Sequence, residues 1–166
     1  MRADLFSSPS ALSLRKFLQG SMAGLVATAP MSIFMLVGWK LLPRYEKYHL
    51  PPRLITEEIT ERVGIEDRLN EKELVGLTIF SHFGYGALFG WLYAIFEQRV
   101  PLHASLKGAL TGLGVWAGSY LGWLPLLGIL PSARWHPRRR NLLMIVAHII
   151  WGLALGESLQ KLTKKK

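Results

Sequence analysis

The sequence predicts an all-α integral membrane protein: four transmembrane helices arranged as two repeated helical hairpins. Three observations carry this. The apolar residues are gathered into long uncharged runs. Two of those runs share one histidine–glycine pattern. The other two share a second glycine pattern. Half of the 166 residues are hydrophobic and only 19% are charged, with a mean hydropathy of +0.23. A soluble domain of this length carries more charge.

Residues 17–39 and 108–130 hold no charged side chain, and residues 74–96 hold only the titratable His82. A fourth run, 142–156, ends at Glu157 and reaches spanning length if 158–162 completes it. About 20 apolar residues rising ~1.5 Å each cross a bilayer's ~30 Å hydrocarbon core.

The first helix is expected over about 14–42, with Ser13 as its N-cap and Pro43 as its stop. It is too long for a cleaved signal, and Pro30 follows the only small-x-small site, Ala27-Thr28-Ala29. The second is expected over about 71–97, where Asn70 and Glu73 form a capping box. The third is expected over about 106–130, capped by Ser105 and stopped by Pro131, and the fourth over about 142–162, capped by Asn141. Pro30 and Pro125 can bend the first and third. The whole chain, 1–166, then reads as one membrane domain with hairpins 14–97 and 106–162.

The stretch between the first two uncharged runs, 40–73, holds eight of the eleven acidic residues. Within it Pro51-Pro52 opens an amphipathic segment, 53–64, which Gly64 can close. Ile55, Ile59 and Val63 make one apolar stripe, with Glu57, Glu58 and Glu61 on the other faces. That acidity disfavours anionic lipid and favours packing on protein.

The duplication rests on two motifs. Residues 82–90 and 148–156 both read His-x-x-aromatic-Gly-x-x-x-Gly. Leu18-Gln-Gly20-x-x-x-Gly24-Leu25 matches Leu106-Lys-Gly108-x-x-x-Gly112-Leu113. Two-helix repeats share one orientation, which puts His82 and His148 at similar depth.

An imidazole in hydrocarbon needs a partner and faces the bundle interior. Two readings are open for the pair. In one, His82 and His148 ligate a haem or chlorophyll-type ring, with Gly86 and Gly152 making room for it. In the other, each histidine hydrogen-bonds a carbonyl, Ser81 or a tyrosine across a tight glycine interface; proton handling is a further option. Helix-packing positions are Gly20, Gly24, Gly90, Gly108, Gly112 and Gly156, with a second series at Gly114, Gly118 and Gly122. Trp116, Tyr120 and Trp123 lie opposite that series and either back a packing face or line a groove for a lipid or pigment. Glu157 is expected to pair with Lys161 at the interface.

The net charge of +9 belongs to the flanks of membrane segments and points to lipid headgroups, not nucleic acid. Nine Lys/Arg fall on one side and eleven on the other, so the charge rule does not orient the chain. With no cysteine there is no disulfide, thiolate metal site or Cys nucleophile. No Gly-x-Ser-x-Gly, His-Glu-x-x-His or phosphate loop occurs either.

Gly-Val-Trp-Ala-Gly-Ser-Tyr-Leu-Gly-Trp-Leu-Pro within 112–131, then Arg139-Arg140-Asn141 and Ala147-His148-x-x-Trp151-Gly152, resemble a family of small uncharacterised bacterial integral membrane proteins. Pro51-Pro52 with Thr56-Glu57 and the His82 motif fit the same family. The resemblance runs from about residue 20 onward. It implies a four-helix, multi-pass inner-membrane protein and supplies no activity. Three function classes follow. The leading one is a non-enzymatic scaffold or accessory subunit of a membrane complex, oligomeric through glycine-rich faces and in contact with lipid. The others are a haem or pigment carrier using His82 and His148, and a small oligomeric transporter or channel.

Overall fold

The computed structural model describes residues 9–164, with side chains from Leu14 onward except Gln98. Residues 1–8 and the last two lysines of the basic tail lie outside the described residues. The helices are α1 (Pro9–Leu41), α2 (Pro51–Arg62), α3 (Glu71–Phe96), α4 (Ala104–Ala117), α5 (Leu124–Leu126) and α6 (Arg138–Lys164). A π-helical turn, Gly118–Trp123, joins α4 to α5. Among the described residues there is no strand.

Three helices, Leu14–Leu41, Glu71–Phe96 and Arg138–Lys164, are long and apolar enough to cross a membrane. Their outward faces carry exposed apolar side chains such as Ile33, Leu36, Ile79 and Phe80, the last 77% exposed. Water does not favour so much uncovered apolar surface. The expected fourth long helix, 106–130, is not one α-helix. Pro125 has no N–H to give the carbonyl four residues earlier, and Gly122 departs from helical geometry (φ −109°, ψ −108°). The ladder slips to π over 118–123, resumes for one turn in α5, and ends at Gly128, whose φ of +66° suits glycine.

The start of α3 is as expected: Asn70 Oδ1 accepts from the Lys72 and Glu73 backbone N–H groups, and Glu73 accepts from the Asn70 N–H. Three other expected caps are corrected. Ser13, Ser105 and Asn141 all lie inside helices that begin earlier, at Pro9, Ala104 and Arg138. Ser105 instead donates to Glu157, and Asn141 donates to the Ala133 carbonyl. Glu157 is thus joined to the start of α4, and among the described residues no ion pair joins it to Lys161.

The long helices pack in the order α3–α1–α6–α4. Glycine sets both outer pairings. A Cβ at Gly24 would collide with the Gly86 carbonyl oxygen, and one at Gly90 with the Gly20 carbonyl oxygen. A Cβ at Gly112 would strike the His148 carbonyl, and ones at Gly108 and Gly152 would each strike the other's carbonyl. Gly156 meets Ala104 in the same way. Backbones this close gain dispersion contacts that side chains would prevent. The central α1–α6 seam is filled by Ala23, Ala27, Met31, Met35, Ala147, Trp151 and Leu155, all buried. Helices α3 and α4 do not pack along their lengths.

Candidate functional site: a two-histidine cavity in the bundle

Between α3 and α4, behind the α1–α6 seam, lies a cavity of about 210 Å³. Thr28 enters from α1, His82 and Tyr85 from α3, and His148 and Trp151 from α6. Ser119, Tyr120 and Trp123 enter from the π-helical turn, so that break supplies one wall. Such turns recur at functional sites because they push side chains out of α-helical register. Ile55 and Ile59 of α2 close one end. Only part of the apolar stripe on α2 packs on protein: Ile59 is 43% and Val63 61% exposed, and the buried positions of α2 are Pro51, Thr56 and Thr60. No Lys, Arg, Asp or Glu lines the cavity.

The structure brings the two histidines to one cavity but treats them differently. His148 is buried, with Nδ1 2.7 Å from the Met144 carbonyl oxygen. A carbonyl only accepts, so Nδ1 carries the proton and Nε2 of the neutral ring is an acceptor. The Tyr120 ring meets its imidazole edge-on at 5.8 Å. His82 Nε2 is buried with no hydrogen-bond partner. The carbonyl four residues before it, on Thr78, accepts instead from Ser81 Oγ at 3.1 Å. At the matching place in α6 stands Ala147, which has no hydroxyl. A buried polar atom without a partner costs about 1–3 kcal/mol, and is kept where something else offsets that cost.

Several other polar side chains of the wall are paired. Trp151 Nε1 donates to Thr28 Oγ1 at 3.3 Å, and Thr28 donates to the Gly24 carbonyl at 2.8 Å. Tyr85 Oη and Ser119 Oγ are 2.9 Å apart, and Trp123 Nε1 donates to Tyr85 at 3.3 Å. Sequence reasoning missed Thr28, Tyr85, Ser119 and Trp151. Tyr85 and Trp151 are the aromatic positions of the histidine motif, so the signal was present. Tyr120 and Trp123 line the cavity, the groove reading of those aromatics.

A porphyrin-type ring does not fit here. The space that both histidines line is about 210 Å³, below the roughly 300–1,000 Å³ of sites for drug-sized ligands, and neither histidine lines the groove that adjoins it. The glycines expected to make room are spent on packing: Gly86 abuts Thr28 and Gly24, and Gly152 abuts Gly108 and Ala109. Among the described residues no group of three or more His, Cys, Asp or Glu is placed to hold a metal ion. Of the second glycine series, Gly114 and Gly118 face open space, and Gly122 only grazes the Ala117 carbonyl oxygen at 4.0 Å, within its own turn. Within one chain they pack no helix against another.

Electrostatics hold the lid. Arg53 donates to Glu57 at 2.6 Å and to Glu71 at 2.7 Å, tying α2 to the start of α3. The bonds to Glu71 and Glu57 raise the Arg53 pKa further. Burial pushes the Glu57 carboxyl up, but the bonds and charges of Arg53 and His49 outweigh it and hold it below its ordinary value. Arg62 donates to the carbonyls of Leu127 and Gly128. On the neighbouring loop, burial lowers the His136 pKa although its ring bonds the Pro131 carbonyl. Arg140 is buried, lies 3.5 Å over the Tyr48 ring, and donates to the carbonyls of Glu46, Tyr48 and His49.

Neither a curated protein nor a solved structure matches the chain. One family model does match, over residues 31–156, which takes in α2, both histidines and every wall of the cavity except Thr28. The chain belongs to that family, described as a protein of unknown function, DUF1440.

Proposed function

We propose that this chain is a multi-pass inner-membrane protein that binds a small neutral molecule in its core, through His82 and His148, and performs no chemistry on it. One observation carries the reading: His82 Nε2 is buried without a partner in a cavity that a second imidazole also faces. The cavity suits a molecule about the size of one aromatic ring, and its walls offer hydrogen bonds but no charge. Four crossings and two repeated hairpins belong to the same proposal. The equivalent glycine pairings of α1 with α3 and α4 with α6 support the repeat. The stretch from α4 through α5 would make the remaining crossing.

Such a protein serves as an accessory binding subunit. Association through glycine faces is narrowed by the packing: of the long helices' glycines, Gly76 and Gly84 on α3 and Gly114 and Gly118 after them face open space. The test is a titration of the detergent-purified chain with para-cresol, read by tryptophan emission, since Trp123 and Trp151 line the cavity. Saturable quenching in the wild type that is lost in His82→Leu supports the reading. Quenching unchanged in that variant defeats it, as does a porphyrin absorption band in the purified protein.

A further inference from the structure

The gap between α3 and α4 does not end at the cavity. It continues outward as a groove of about 380 Å³, and Tyr85, Phe89, Val115, Ser119 and Trp123 line both spaces. We infer that this groove is a lateral portal from the bilayer, and that the ligand is a neutral amphiphile carrying one hydroxyl. Its hydroxyl would sit at His82 and His148, and its apolar chain would run out between α3 and α4. The inference rests on the binding role proposed above and adds the ligand's class and its route.

Four observations select that occupant. The unspent hydrogen-bonding atoms lie on the cavity side: the histidines line only the cavity, whereas the groove's own polar side chains, Tyr93 and Thr111, already donate to the Ala104 and Lys107 carbonyls beside apolar Leu92 and Phe96. No charged side chain lines either space, so an ion would enter with nothing to offset its desolvation. His148 has committed its Nδ1 proton to Met144, so its Nε2 calls for a donor, which a hydroxyl supplies. Gly114 and Gly118 line the groove, and a Cβ at either would meet no atom within 4 Å, so its wall is open there. The Tyr85–Ser119 bond, with Trp123 donating to Tyr85, crosses the gap at the junction of groove and cavity. It stands where a latch on the portal would stand, and the other end is covered by α2.

The experiment compares para-octylphenol, para-octylanisole and para-cresol on the full chain, by tryptophan quenching. The phenol is expected to bind about ten-fold tighter than the anisole, the worth of one buried hydrogen bond. That preference is expected to vanish in His82→Leu and in His148→Leu. The double variant Gly114→Leu, Gly118→Leu puts side chains into the groove without pressing on a helix backbone, because a Cβ at either place meets no atom within 4 Å. It is expected to weaken para-octylphenol at least ten-fold while para-cresol binds as before. If para-octylphenol binds equally well to the double variant, the portal is wrong and the binding role survives. If no phenol binds saturably, or the preference outlasts the histidine variants, both fall. If the double variant instead changes the oligomer size in detergent, the groove is a seam between chains and the portal is overturned.

Discussion

Two seams join the outer helix pairs, and they are built in opposite ways. The α1–α6 seam is closed by small and flexible side chains: Ala23, Ala27 and Ala147 let the helices approach, and Met31 and Met35 fill what remains. The α3–α4 seam carries Tyr85 and Phe89 on α3 and Trp123 on the opposite helix, broken before Pro125, side chains too bulky to interdigitate at that spacing. The first is a core. The second is a gap bridged by three polar side chains, and it holds the cavity. Similar helices can therefore make a closed joint or a gap that holds a cavity, depending on side-chain size and one slipped turn.

The largest expected effect tests that contrast directly. Ala27→Leu, at a fully buried position of the closed seam, should cost about 3 kcal/mol, because the facing helix cannot move away. Gly118→Leu, in the open seam, should change stability by less than about 0.5 kcal/mol. Thermal unfolding in one detergent compares them, and equal losses would mean the seams do not differ. The guanidinium clamps at the seam ends come next. Arg140→Ala takes a donor from the buried Glu46 carbonyl and from the part-buried carbonyls of Tyr48 and His49, and should cost about 2–3 kcal/mol. Arg62→Ala, at an exposed site, should cost about 1 kcal/mol.

The histidines should separate next. His148→Leu loses the bond to Met144 and should destabilise by about 1 kcal/mol, whereas His82→Leu removes an unpartnered nitrogen and should be neutral or stabilising. Destabilisation by both to the same extent would mean that His82 has a structural partner after all. The smallest effect is on pH. The Glu57 carboxyl lies lower in the folded protein than its ordinary value of 4.5, so its contribution is fully present above that value. It is lost as pH falls through the folded value, when Arg53 and His49 lose their carboxylate. Stability measured downward from about pH 6 should therefore decline more steeply in the wild type than in Glu57→Gln. Parallel curves would show that the lid does not depend on this charge.

The capping box at Asn70, the spans of α1, α3 and α6, the amphipathic α2 and the family could all be read from sequence. Each depends on local spacing or composition, which a chain displays directly. The glycine motifs also announced close packing, and the residues at 20, 24, 108 and 112 meet helix backbones as the pattern implies. The third helix was misread because hydrophobicity is blind to a slipped ladder: 108–130 is uncharged throughout, yet Pro125 and Gly122 break it. Glu157 and Ser105 were misread because their partners are each other, far apart in sequence.

By itself, then, the sequence determined that long apolar helices form, where α3 begins, and that two share a histidine and close-packing glycines. Hydrophobic run length and missing Cβ atoms decide these locally. Only the tertiary structure decided that the histidines meet at one cavity, that His148 is satisfied and His82 is not, and that a π-helical turn walls the space. Those facts depend on which helices become neighbours and how far apart their side chains hold them. A hydroxyl at Ser81 and a methyl at Ala147 look unrelated along the chain. They become a difference in function only once both imidazoles face the same space.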